Sequence, residues 1–419
     1  MPTLLFIEQY FYPEGWGGAE IPRDIVSGLR QAGFDVEVLC GKDQYTPMKS
    51  GEVPDPSAYG VRIFRVPRIA DGPIHRFKSL RILWFCAYAF PWLLMHRGVD
   101  LYITQTNPPL IVPTLAMVAA LRGKPFVIIA QDLYPEALFA SGLAAEGSLP
   151  GRAVRWLFGW AYRRASAVVA LGAFMRRRIL EKGVSPQRVH TISNWATGNT
   201  RRVSASENPL RTAWGLRGRF VLLYSGNMGV SHEFETLLGG VQRAAAAGAD
   251  LVAVFIGGGV RLPELRTLVA SLGLGERVVF RNFVPADVLP QSLGVADLAL
   301  VTLRVGFEGV VVPSKLLGYM ARGIPVLYVG PDSDAAELLR ESQAGTCCAP
   351  GDPQAIADVL LRAAGDGGSQ LRRWGASGRS FYAQHLAREM GVGRYVELIR
   401  GLFAQESGSL RRSGVARDR

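Results

Sequence analysis

The chain alternates short apolar runs with amphipathic stretches, and it does so twice. The runs fall at 4–8, 36–40, 101–106, 126–130, 167–171 and 189–193, then at 220–224, 251–256, 278–283, 298–303 and 325–329. Short runs with little polar alternation are what strands covered on both faces require, so a parallel sheet with helices on both sides is expected in each half. Intervening helices are expected at 20–32, 232–247, 262–272, 286–293 and 334–341, among others. Between 193 and 216 the apolar runs give way to Asn, Thr, Ser, Arg and Pro, the composition of a linker. The 419 residues suit two domains of roughly 200 residues each. We therefore expect an α/β protein with one doubly wound domain over 1–197, a second over 198–389, and a terminal segment over 390–419.

Glycine loops follow strands in both halves. Gly15 to Gly18 follow the first strand, and Gly226 to Gly229 with Gly257 to Gly259 follow strands of the second half. A dinucleotide fingerprint at the first loop is excluded. The loop is too long before its glycines, and the second strand ends Cys40-Gly41-Lys42, where an acidic residue would hold a ribose. Loose glycine loops at sheet carboxyl edges still allow close backbone approach to a ligand, and two such edges would face a shared cleft.

The second half carries the sharpest pattern, Phe307-Glu308-Gly309 running to Pro313-Ser314-Lys315-Leu316. Pro holds the preceding residue extended, Ser suits an N-cap, and a helix is expected to start here. Free backbone N–H groups, the Ser314 hydroxyl and the Lys315 ammonium would converge as an anion site, most naturally for phosphate. An ordinary capped helix with a solvated Lys315 is the competing reading. In the first half, Asp132 and Glu136 follow the strand at 126–130, where α/β ligands bind. They would orient sugar hydroxyls or take a proton; alternatively Asp132 only caps the turn.

The net charge of +12 suits phosphorylated ligands or an anionic surface, and no nucleic-acid-binding signature accompanies it. Residues 82–95 are uncharged and rich in aromatics, yet short of the ~20 residues that span a bilayer. Residues 152–164 interleave Trp and Tyr with Arg. Both read as half-buried faces or as helices lying in a membrane interface, with Arg76, Lys78, Arg81 and Arg97 flanking the first. Cys40, Cys86, Cys347 and Cys348 show no metal or disulfide spacing and read as reduced, buried thiols. The five histidines are scattered, and no metal site or cofactor is expected. The first residues read as a strand and not as a signal peptide, and the tail after Leu410 as disordered.

Taken in order, these stretches resemble the family-4 retaining glycosyltransferases of the two-domain GT-B fold. The resemblance is to bacterial cell-surface polysaccharide and O-antigen enzymes, including the N-acetylfucosamine-transferase-like group. The residues that carry it are Tyr12-Pro13, Gly17-Gly18-Ala19-Glu20, Gln131 to Glu136, Ser225 to Gly229, Ile256 to Gly259, Ala296-Asp297 and Pro313 to Val326. It implies a nucleotide-sugar donor, UDP-linked, with Gly226, Asn227, Gly229, Gly257, Gly258, Glu308, Pro313, Ser314, Lys315 and Leu316 around it, and Gly17 and Gly18 approaching from the first domain. It further implies a polyprenyl-diphosphate-linked saccharide acceptor, peripheral contact with an anionic membrane from the cytoplasm, and a last helix near 390–405 crossing back to the first domain. Lys315 would meet the leaving diphosphate without a metal, and Asp132 and Glu136 would serve the acceptor. Three departures stand out, one of them Gln131, where many relatives have His. Gly318 occupies the place of a ribose-binding glutamate, and Val230-Ser231-His232 follow the glycine turn where many relatives place a basic pair. A sugar-nucleotide epimerase and a non-catalytic sugar-nucleotide-binding protein remain open as alternatives at this point.

Overall fold

The computed structural model describes residues 1–11, 17–42, 60–68, 78–205 and 207–415. Tyr12, Pro13, Gly15, Trp16 and Arg76 lie outside them, as does the end of the tail. Contacts divide the chain into two units. One holds 1–136, 144–193 and 388–419; the other holds 137–143 and 194–387.

In the first unit the strands are β1 (Thr3–Glu8), β2 (Asp35–Gly41), β3 (Arg62–Val66), β4 (Leu101–Gln105), β5 (Phe126–Ile129), β6 (Ala167–Ala170) and β7 (Val189–Thr191). They form one sheet in the order β3-β2-β1-β4-β5-β6-β7, with every pairing parallel. Its helices are α1 (Gly17–Gln31), α2 (Lys78–Met95), α3 (Ile111–Arg122), α5 (Leu149–Arg164) and α6 (Ala173–Glu181), with the short α4 (Glu136–Ala140) beginning where this unit's segment ends.

In the second unit β8 (Phe220–Ser225), β9 (Leu251–Ile256), β10 (Val278–Arg281), β11 (Leu298–Thr302), β12 (Val326–Val329) and β13 (Gly345–Cys348) make a parallel sheet in the order β10-β9-β8-β11-β12-β13. The helices are α7 (Pro209–Ala213), α8 (Glu235–Ala246), α9 (Leu262–Ser271), α10 (Leu289–Leu293), α11 (Lys315–Ala321), α12 (Asp334–Ser342), α13 (Pro353–Gly365) and α14 (Ser369–Phe381). Leu222, Leu251, Phe255 and Leu300 pack on one face with α8 and α13, while Leu223, Val254, Val301 and Tyr328 pack on the other with α11 and α12. Each sheet reverses its strand order once, between β1 and β4 and between β8 and β11. The carboxyl ends beside such reversals are where ligands bind in open α/β sheets.

The last helix, α15 (Arg388–Val415), follows the second unit in sequence but packs on the first. Arg388 pairs with Asp24 at 2.8 Å, and Phe403 stacks on Phe34 at 6.0 Å. The helix continues past Leu410, against the expectation of a disordered tail; no proline breaks it.

Four other expectations are corrected. Helix α1 starts at Gly17 and not at residue 20, so the expected glycine loop ends inside its first turn. Helix α8 starts at Glu235 and not at His232, because the Glu233 carboxylate accepts the Thr236 N–H at 2.7 Å and fixes the helix start there. Ser314 occupies the N-cap position of α11 but is itself helical (φ −64°, ψ −18°), and its hydroxyl caps nothing. Cys347 is exposed on the edge strand β13, while the other three thiols are buried.

Candidate functional site

The site forms where β8 and β11 end side by side. Gly226 follows β8 with φ +131°, a conformation that costs glycine nothing and other residues much. Its N–H donates to Ile256 O at 2.8 Å, and the Met228 N–H donates to Gly258 O at 2.6 Å. Gly257 and Gly259 also hold positive φ, and a Cβ on either would press into the carbonyl of Gly226 or Met228. The two glycine loops are thus one interlocked surface. The Tyr224 hydroxyl donates to Asn227 O at 2.6 Å from below, and Asn227 itself is exposed.

Lys315, the first residue of α11, reaches back across this surface. A Cβ on Gly226 would lie 2.5 Å from Lys315 Cε, so glycine is what lets the lysine in. Lys315 Nζ lies 5.0 Å from the Tyr224 ring centroid and 3.3 Å from His232 Nε2. Although the residue keeps some surface, its ammonium is surrounded by protein, and burial pushes its pKa down to about 8. No carboxylate among the described residues pairs with it.

His232 is buried, with Nδ1 3.0 Å from Thr302 O and 3.1 Å from Thr302 Oγ1, at the end of β11. A carbonyl can only accept, so Nδ1 carries the proton and Nε2 accepts from Lys315. Burial first, then the Lys315 charge, push the imidazole pKa down to about 3. A neutral histidine therefore orients a charged lysine. Such an ammonium, already stripped of much of its water, is a strong partner for an incoming anion.

Of the other sequence-derived site residues in this unit, Gly229 closes the loop beside Asn227, and Gly258 faces Phe283. Glu308 lies on the turn between β11 and α11, where its carboxylate accepts the Gly306 N–H at 3.0 Å. Pro313 and Leu316 are buried, Leu316 in the core under the site, while Ser314 is exposed. Gly318 lies one turn along α11, and a Cβ there would meet only Arg322 Nη1, at 3.6 Å.

Gly17, Gly18, Asp132 and Glu136 belong to the other unit. Gly17 and Gly18 open α1. The N–H groups of Gln131 and Asp132 donate to Thr106 Oγ1 at 3.0 and 3.2 Å, placing Asp132 at the carboxyl edge of its sheet. Glu136 is ion-paired with the buried Lys182, whose ammonium also donates to Tyr134 O at 3.3 Å and lies 5.2 Å from the Tyr162 ring centroid. Burial lowers the Lys182 pKa, and Glu136 opposes that shift.

Sequence reasoning missed His232, Tyr224, Thr302 and Arg261. Its only trace of them was His232 standing where a basic pair was expected.

Two family models match the chain. A glycosyl transferase 4-like domain covers residues 17–195, and a glycosyl transferases group 1 domain covers residues 219–366. The chain is a glycosyltransferase built from these two domains, with the two parallel-sheet Rossmann-like units of the GT-B fold. It is 26% identical to the probable glycosyltransferase WbjE of Pseudomonas aeruginosa, over 86% of this chain and 89% of that protein. It is also 26% identical to the putative colanic acid biosynthesis glycosyl transferase WcaI of Escherichia coli, over 75% of this chain and 79% of that one. Among solved structures, Anabaena HepE in complex with UDP-glucose superposes with a TM-score of 0.72 at 18% identity, covering 96% of this chain and all of HepE. The relatives of this chain thus include bacterial enzymes named for polysaccharide biosynthesis. The epimerase and non-catalytic alternatives give way.

Proposed function

We propose that this glycosyltransferase moves a hexosyl or N-acetylhexosaminyl group from a UDP-linked donor to a polyprenyl-diphosphate-linked saccharide, in cell-surface polysaccharide assembly of the O-antigen or exopolysaccharide type. The observation that carries this reading is the Lys315 ammonium, held by His232 over Gly226 with no carboxylate partner among the described residues. The UDP-glucose complex of HepE, a protein of the same fold, supports the uridine donor.

When the bond from the anomeric carbon to the diphosphate breaks, its electron pair and a developing negative charge go to the leaving oxygen. Lys315 and the backbone N–H groups near Gly226 and Asn227 stabilise that charge, and because it grows between the ground state and the transition state they raise the rate. No metal is needed for this step in our reading. In retention the acceptor hydroxyl attacks from the face the diphosphate leaves, and its proton passes to the departing phosphate oxygen. Gly257, Gly258, Gly229, Glu308, Pro313, Ser314 and Leu316 shape the donor pocket. Asp132 orients acceptor hydroxyls, and Glu136, tied to Lys182, holds the segment that presents it.

The lipid-linked acceptor places the enzyme at an anionic membrane on the cytoplasmic side. Support comes from α2, α3 and α5, which contain no Asp or Glu. Helix α3 packs against both of the others. Together they expose Leu83, Trp84, Met117, Leu121 and Trp156, with Arg152, Arg163 and Arg164 alongside. No helix among the described residues is long and apolar enough to cross a membrane.

The test is transfer of label from UDP-, GDP- and dTDP-sugars to polyprenyl-diphosphate saccharides, with and without EDTA. We expect EDTA-resistant transfer from a UDP-sugar with its anomeric configuration kept. A UDP-sugar at 100 times its Kd should also stabilise the fold by about 2.7 kcal/mol. Absence of both transfer and stabilisation with every UDP-sugar overturns the reading.

A further inference from the structure

Behind the glycine loops stands a second buried cation. Arg261, at the turn between β9 and α9, is only 6% exposed. Its main-chain N–H donates to Met228 O at 3.1 Å. Its guanidinium Nη1 donates to His232 O at 2.6 Å, while Nε and Nη2 form a fork on Glu264 at 3.0 and 2.7 Å. Nη2 also bonds Glu235, and the group lies 5.7 Å from the Phe234 ring centroid. With two carboxylates, a carbonyl and an aromatic face around it, this guanidinium has its partners already and is not itself a phosphate ligand.

What it grips matters more than its charge. The His232 carbonyl is the anchor of a residue whose ring bridges Thr302 on β11 and Lys315 on α11. We infer that Arg261 is a positioning residue for sugar transfer: by fixing the main chain at His232 it holds the imidazole between Thr302 and Lys315, and so aims the ammonium at the leaving diphosphate. This rests on the reading of Lys315 given above. The planar fork is essential to the role, because one rigid group must satisfy three acceptors on two sides of the loop. A lysine at the same place would keep the charge and lose that geometry. Besides Arg261, the groups facing His232 are Lys315 from α11, Thr302 from β11 and Tyr224 from β8, with Glu233 and Glu235 on its own segment.

The test compares Arg261→Lys and Arg261→Met with wild type, using Lys315→Met to test the underlying reading. We measure UDP binding by calorimetry, kcat and donor KM separately, and the His232 ring nitrogens by 15N NMR across pH 4–8. Misaiming a charge that acts mainly in the transition state should lower kcat in Arg261→Met by about 10²-fold, with donor KM moving less than about threefold. His232, neutral down to strongly acid pH in wild type, should begin to titrate nearer 6.5 once its anchor is gone. Arg261→Lys should show both changes to a lesser degree, and it carries the test by itself if Arg261→Met does not fold. Wild-type kcat and unchanged His232 signals in folded Arg261→Lys overturn the inference while leaving Lys315 in place. Wild-type UDP affinity and turnover in Lys315→Met overturn the Lys315 reading, and this inference with it.

Discussion

Lys315 Nζ lies 3.3 Å from His232 Nε2, two basic side chains touching where little water reaches. Only one of them can be charged there. The imidazole gives way, since burial and the neighbouring Lys315 charge push its pKa down to about 3 against the pull of the Thr302 carbonyl, whereas the ammonium falls only to about 8. At neutral pH the lysine keeps its proton and the histidine becomes its acceptor. The pair is a charged group aimed by an uncharged one.

Turnover and stability should therefore answer alkaline pH in opposite directions. Between about 8 and 10.5 the unfolded chain still holds a proton on Lys315 that the native protein has lost. Linkage makes this group's contribution to stability rise with pH across that window, while the charge needed by the diphosphate disappears. We expect kcat/KM for the donor, which reports the free enzyme, to fall above about pH 8. Lys315→Ala should lower turnover by about 10²–10³ at pH 7 and remove that alkaline limb. A pH–rate profile with and without the substitution measures both; near-wild-type turnover in the variant would refute the role.

His232 makes the acid counterpart. Its native pKa is depressed to about 3, so between about 6.5 and 3 the unfolded chain binds a proton that the native protein refuses. Stability must fall as pH drops through that window. His232→Gln keeps a hydrogen-bonding group near Lys315 but cannot titrate. We expect its melting temperature to decline less between pH 7 and pH 4 than that of wild type. Parallel melting curves across that range would show that His232 does not contribute to the acid limb.

The fold was legible because its strands are buried on both faces. The run at 251–256 coincides residue for residue with β9, all six residues of which are buried. The strand Arg62–Val66 escaped notice because it sits at the sheet edge, where exposed arginines interrupt the apolar run. At the site, Gly226 and Lys315 were readable as residue types: a glycine where backbone must turn, a cation where phosphate would sit. His232 was not. Periodicity extends the helix back to it, and only a carboxylate cap from Glu233 moves the helix start to Glu235 and frees the imidazole for the site. A cap formed by the residue two before the helix leaves no mark in the apolar pattern.

Gly318 offers a gain-of-function test. The family resemblance expects a ribose-binding glutamate at this position, and a Cβ added there would meet nothing closer than Arg322 Nη1 at 3.6 Å. Gly318→Glu should fold, and replacing a helical glycine should add about 0.5–1 kcal/mol of stability. If the ribose lies beside Gly318, as the resemblance implies, the new carboxylate reaches it and UDP binds several-fold more tightly by calorimetry. Weaker binding in a stable variant would mean that the ribose lies elsewhere or that its site is already filled by another group.

Helices α2, α3 and α5, which carry no Asp or Glu of their own, yield the last prediction. Each Arg near an anionic bilayer contributes about 1 kcal/mol, so reversing Arg152, Arg163 and Arg164 to Glu should cost at least about 3 kcal/mol, a loss of membrane affinity of about 10²-fold or more. Wild type should float with vesicles containing anionic lipid at low salt and be released at high salt, as screened attraction requires. The triple variant should stay in the dense fraction at every salt concentration. The Gly226, His232 and Lys315 site is on the other unit, so transfer to a short, water-soluble acceptor should persist while transfer to an acceptor embedded in vesicles falls. Equal flotation of the two proteins would refute the membrane assignment of these helices. Equal loss of transfer to both acceptors would instead mean that the arginines serve the chemistry or the fold and not the membrane.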